Sequence, residues 1–193
     1  MSTAVWAVLG VIGLAVLAAL AIALWAIGAY NNFVRLKNLV SEGWSGIEVQ
    51  LKRRSNLVPN LVATVKGYAE HESSVFEEVT QARASIGRGS VGEQAAAESN
   101  MAKSLMNLFA VAENYPDLKA DKNFQQLQAE LSDLEDVIQK ARRYYNGTVR
   151  HFNTELELFP GNLIAGMFNF ASAEFFELEN EADAAVPEVS FGS

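Results

Sequence analysis

The chain has 193 residues, half of them hydrophobic, with no cysteine and a formal net charge of −8. Without cysteine there is no disulfide, no thiol nucleophile and no thiolate metal site. All 15 Lys and Arg residues lie at or before Arg150 with 15 of the 23 acids, so the acidic excess falls wholly in residues 151–193, a balance with no footprint for nucleic acid.

The first element is the uncharged run from Ala4 to Tyr30, AVWAVLGVIGLAVLAALAIALWAIGAY. It exceeds the roughly 20 apolar residues needed to cross a bilayer. Trp6 and Trp25 are about 28 Å apart along a helix, close to the hydrocarbon thickness, where aromatic belts sit. A signal peptide wants a basic start and a roughly 7–15-residue apolar core; nothing charged precedes this run, which is about twice too long, so it reads as a retained anchor. Arg35 and Lys37 follow it and no Lys or Arg precedes it, which points to a single-pass protein of the cell (inner) membrane with its N-terminus outside and its C-terminal domain cytoplasmic. Gly10, Gly13 and the row Ala15, Ala19, Ala23 put small residues at helical spacing; they either face lipid or form a self-association face, and the second reading is favoured.

From Phe33 the pattern turns amphipathic. Leu36, Val40, Trp44, Ile47, Leu51, Val58, Leu61, Val65 and Tyr68, continued by Val75, Val79, Ala82 and Ile86, predict one long helix from about Asn32 to Ile86. Pro59 cannot donate to the Ser55 carbonyl and predicts a kink rather than a break, because the stripe keeps its phase. Arg54 falls inside the stripe, and its expected partner is a carboxylate such as Glu135 or Glu113. At about 80 Å this helix outruns the next. The stretch Leu36 to Ile47 with Trp44 is therefore expected to lack intramolecular cover and to build a homo-oligomer.

Residues 87–92, GRGSVG, fit G-x-G-x-x-G, but the fingerprint has meaning only between a strand and a helix, so here it reads as a helix-connecting loop. A second helix follows from about Glu93 to Asn114, with Met101, Leu105, Leu108, Ala112 and Tyr115 on one face, and Pro116 closes it. Asp121 is placed to cap a third helix, whose stripe runs Phe124, Leu127, Leu131, Leu134, Ile138, Ala141, Tyr145, Val149, Phe152, Leu156 and Phe159 in a heptad-like cycle. Pro160-Gly161 ends it. Residues 162–170 predict a short apolar helix or loop buried against the bundle or a bilayer. Acidic residues and the pentapeptide Pro187–Phe191 close the chain. The fold class is thus all-α: a transmembrane anchor (1–30), an up-and-down bundle of three long helices and one short (31–170), and an acidic tail (171–193).

Chemistry-bearing motifs are scarce. His71 and His151 lack the Glu-x-x-His and H-E-x-x-H spacings of metal sites. Glu130, Asp133, Glu135 and Asp136 flank the third stripe and read as a solvated or salt-bridged face opposite Lys52-Arg53-Arg54. The sequon Asn146-Gly147-Thr148 lies in a predicted helix, and no nucleophile elbow or kinase spacing occurs. No catalytic residue, cofactor or metal is expected.

The runs Lys52–Val62, Val65–Glu72, Ala112–Ala120, Ala141–Asn146 and Pro187–Phe191 resemble the LemA family of bacterial membrane proteins, in the right order and across nearly all of residues 31–191. Ser55 departs from the pattern, standing where the family usually has an aromatic residue. The resemblance implies an outside N-terminus, one spanning helix, a bundle of long helices, and neither catalytic residues nor cofactor. The expected role is a self-associating membrane scaffold that presents its bundle to partner proteins or the bilayer. The alternative is an accessory subunit of a membrane protease, sensor or transporter, docking through its tail, with Pro187–Phe191 as an edge-adding strand.

Overall fold

A computed structural model of the chain describes residues 3–177, and these are all-α, without a strand among them. Pro187–Phe191 and the acidic residues after Glu177 lie outside the described residues. The order is α1 (Thr3–Lys66), α2 (Ser73–Ser85), α3 (Val91–Ala112), α4 (Pro116–Ala120), α5 (Lys122–Glu157) and α6 (Gly161–Met167). The membrane-grade run and the first amphipathic stripe form one 64-residue helix.

The single helix expected from Asn32 to Ile86 is corrected: α1 stops at Lys66 and α2 begins at Ser73. Gly67 weakens the helix at that point, and the Tyr68 amide bonds to the Val65 carbonyl at 3.0 Å, tightening the last turn. The stripe concealed the break because Tyr68 and Val75 are seven residues apart and in phase, while His71 and Glu72, where a buried helix would need an apolar residue, are polar. Further on, Ser90 caps α3 in a capping box with Glu93. Asp121 Oδ1 accepts from the amides of Asn123 (2.8 Å) and Phe124 (3.0 Å), as its position before the third stripe predicts.

The chain forms two compact units, and α1 and α5 contribute to both. The first is Met1–Glu42 with Gly147–Ala173. Its core joins Phe33 and Leu36 of α1, Phe152 of α5, and Ile164 and Ala165 of α6. Gly161 allows α6 to begin hard against this core, since a Cβ there would meet the Glu155 carbonyl at 3.3 Å and the Phe33 ring at 3.4 Å. Phe159, expected at the end of the third stripe, is instead exposed, because α5 ends at Glu157.

The second unit is Gly43–Asn146 with, among the described residues, Glu174 to Glu177. Val58, Leu61 and Val65 of α1 meet Phe76 and Val79 of α2, Met101, Leu105 and Leu108 of α3, Leu118 of α4, and Phe124 and Leu131 of α5. Burial of these side chains, each contributing about 1.5–3 kcal/mol, holds the unit together.

Candidate functional site

The most concentrated polar chemistry in the second unit is a chain of charges beside its core. The phase of α1 dictates where it starts: Leu51, Arg54, Val58 and Leu61 share the inward face, so Arg54 is drawn in with them and is 3% exposed. Its guanidinium ion-pairs with Glu98 of α3, itself 2% exposed. Arg54 Nη1 also donates to Glu135 Oε2 of α5 at 3.0 Å. From there Gln139 Nε2 donates to Glu135 Oε1 (2.9 Å), Arg142 Nη1 donates to Gln139 Oε1 (3.1 Å), and the Arg142 guanidinium lies 5.6 Å over the Phe176 ring.

Two arginines and two glutamates balance in charge. Burial pushes the Glu98 carboxyl above the usual carboxylate range, and neighbouring Glu135 adds to this, with Arg54 opposing. Burial likewise lowers the Arg142 pKa against the pull of Glu135 and Glu98. Guanidinium groups do not exchange protons near neutral pH, so the chain is suited to fixing α1, α3 and α5 in one register. A groove of about 410 Å³ opens beside it, lined by Leu105, Met106, Phe109 and Leu131 with Arg54 and Glu135 at one side.

Glu113, the alternative partner for Arg54, is corrected: it is largely exposed and pairs with Lys119. Glu98 went unnoticed in the sequence although a signal exists. Extending the α3 stripe back from Met101 by three and then four residues lands on Glu98 and Gln94, both buried. Gln94 closes the loop after α2, its Oε1 accepting from the Gly87 amide at 2.8 Å and its amide nitrogen donating to the Arg88 carbonyl. Gly87 and Gly89 have φ of 83° and 86° there, so the G-x-G-x-x-G run is the turn between two helices.

Trp44 is not left uncovered. Its ring packs 5.6 Å from that of Tyr145 and 5.7 Å from that of Phe176. Ile47 is fully buried in the same unit, and Leu36 is buried in the core of the first. The cover expected from a second copy along this stripe is supplied from within the chain. Two asparagines of α5 hold the segment that follows α6. In the second unit Asn146 Oδ1 accepts from the Phe176 amide (2.9 Å) while its Nδ2 donates to the Phe176 carbonyl (3.1 Å). In the first unit Asn153 makes the same pair of bonds with Ala173, at 2.8 and 2.9 Å. Tyr145 adds a bond to the Glu174 carbonyl at 2.8 Å.

Pro59 lies inside α1 between buried Val58 and Leu61. Gly13, Ala15, Ala19 and Ala23 are exposed, and a Cβ on Gly13 would meet nothing within 4 Å. They belong to a stretch from Val8 to Trp25 in which every residue is exposed, and α1 is the one helix among the described residues long and apolar enough to cross a membrane.

A family model described as the LemA family matches residues 43–191. The chain is 27% identical to magnetosome protein MamQ 2 of Paramagnetospirillum magneticum, over 81% of this chain and 68% of the relative. It is 23% identical to magnetosome protein MamQ of Magnetospirillum gryphiswaldense, over the same shares. With protein LemA of Metamycoplasma hominis the identity is 29%, over 79% of this chain and 72% of that protein.

Proposed function

The chain belongs to the LemA family, and from that premise we propose that it is a non-enzymatic, membrane-anchored scaffold. Residues 4–30 cross the cell membrane once, N-terminus outside, and the bundle stands in the cytoplasm for partner proteins or the bilayer. The observation that carries this reading is the stretch Val8 to Trp25, apolar and exposed throughout, in the helix that also supplies Leu51, Val58 and Leu61 to the bundle. No fold gains from exposing that much apolar surface to water, whereas a bilayer accepts all of it. Among the described residues the two buried charged side chains, Arg54 and Glu98, pair with each other, and Arg54 also with Glu135, which supports a holding role for them over a catalytic one.

Copies associate through the small residues of the spanning helix, Gly13 and the row Ala15, Ala19 and Ala23, where backbones can approach closely in lipid. Native mass spectrometry of the full chain in mild detergent tests this. Oligomers that collapse to monomer in Ala15→Leu/Ala19→Leu are expected; wild-type chain found only as monomer overturns self-association.

A further inference from the structure

Within the first unit, the corner between α5 and α6 exposes Leu158, Phe159, Leu163, Met167 and Phe168, with Phe159 and Met167 at 79% and 71%. α6 is apolar on two sides. Ile164 and Ala165 enter the core with Phe33 and Phe152, while Leu163 and Met167, four residues apart, share the outward side. No charged residue occurs between Glu157 and Glu174. A water-facing corner of this kind normally carries charged side chains, whereas the exposed polar side chain within this one is the neutral Asn162.

Its location is fixed by Tyr30, whose ring lies 4.7 Å from that of Phe168 and 5.8 Å from that of Phe170. Tyr30 ends the uncharged run, and it lies five residues, about 7.5 Å along the helix, beyond Trp25. That is the depth of the headgroup layer, where aromatic rings anchor spanning helices. The first charged side chain follows at Arg35, whose Nη2 donates to Asn32 Oδ1 at 2.7 Å. The exposed apolar surface of α1 therefore continues across Tyr30 onto the corner.

We infer that residues 158–168 are a second membrane contact: Phe159, Leu163, Met167 and Phe168 insert into the interfacial layer of the same leaflet that the spanning helix leaves at Tyr30. The partner is a lipid surface, because the patch is continuous with the surface that the bilayer covers and offers no charge to a polar partner. The inference rests on the reading that α1 spans the membrane. It makes the anchor two-point, so the bundle's orientation to the bilayer does not depend on the spanning helix alone.

The chain has no cysteine, so single cysteines report cleanly. Leu163→Cys, Met167→Cys, Ala19→Cys and Lys103→Cys are each labelled with an environment-sensitive fluorophore and reconstituted as full chains in phosphatidylcholine vesicles, with and without acyl-brominated lipid. The first two positions are exposed, so labelling leaves the core intact. Blue-shifted, bromine-quenched emission is expected at positions 19, 163 and 167, with the quencher nearest the headgroups most effective at 163 and 167, and no quenching at 103. Quenching at 19 with water-like, unquenched emission at 163 and 167 overturns the inference and leaves the spanning reading standing. Loss of quenching at 19 overturns both. A blue shift at 163 and 167 without bromine quenching means that protein covers the corner, a second copy or a partner, and also overturns the inference.

Discussion

The Nε–H of Arg83 donates to the Ser55 carbonyl at 2.8 Å, and Ser55 is the residue whose helical acceptor Pro59 leaves without a donor. A proline four residues on cannot supply the N–H that would normally close that turn. α2 returns beside α1 and fills the vacancy with a guanidinium. Pro59 and Arg83 are therefore one device, although only Pro59 looks unusual in the sequence. The departure at Ser55 does not impair it, because the contact is to the backbone.

Arg83→Met should cost about 1 kcal/mol, the usual net worth of such a hydrogen bond at an accessible site. In a Pro59→Ala background the alanine amide supplies the missing donor, so the same substitution should become nearly neutral. Thermal melts of the four chains of this cycle in mild detergent measure the coupling, and an equal cost in both backgrounds would separate the two residues.

Arg54→Met should be far more damaging, about 3–5 kcal/mol, because it strands the buried Glu98 carboxylate. Glu135 is partly exposed and tolerates the loss of its partner. Arg54→Met/Glu98→Leu should then recover most of the stability, since an apolar pair in the same space carries no desolvation cost. If the double variant melts no higher than Arg54→Met, the penalty lies in packing and not in stranded charge.

How much of this was legible follows from what kind of signal each contact leaves. Arg54 could be placed because it interrupts a stripe of fixed phase. Glu98 was equally readable, by extending the α3 stripe one step from Met101 toward its N-terminus. The break after Lys66 was hidden by a seven-residue gap that preserved phase. Tyr145, on the third stripe, was a readable neighbour for Trp44, but the rest of its cover was not: Phe176 arrives in a segment outside any helix, with no period, and the asparagines that hold such segments bind backbone, which has no sequence. Asn146 and Asn153 lie a heptad apart on α5, and that spacing is the one trace they leave.

Asn146→Ala should therefore release Phe176 from its place beside Trp44 and Arg142. Two hydrogen bonds are lost and a buried amide is left without a partner, for about 2 kcal/mol locally. Hydrogen exchange at the Phe176 amide should accelerate strongly, and Trp44 emission should shift to the red. Unchanged exchange at Phe176 would mean that the aromatic contacts alone hold the segment.

Two carboxylates should tilt the stability curve in opposite directions. The Asp121 carboxyl is held below its ordinary range, chiefly by the Phe124 amide and then by the Tyr68 hydroxyl. In acid the unfolded chain takes up this proton first, so the contribution of Asp121 is complete above the ordinary aspartate range and disappears as pH falls through the lowered value. Glu98 does the reverse. Its raised pKa means that the folded chain keeps its proton after the unfolded chain has lost it, so stability declines as pH rises from the ordinary glutamate range through the raised value. Glu98→Gln should flatten the decline on the mildly acidic side while leaving the acid limb in place. Asp121→Asn, which keeps a capping oxygen but cannot ionise, should flatten the acid limb alone. Urea denaturation of the three chains from about pH 3 to 7, the span over which carboxylates titrate, separates the two slopes. A Glu98→Gln curve parallel to wild type throughout would mean that Arg54 keeps Glu98 ionised across that range.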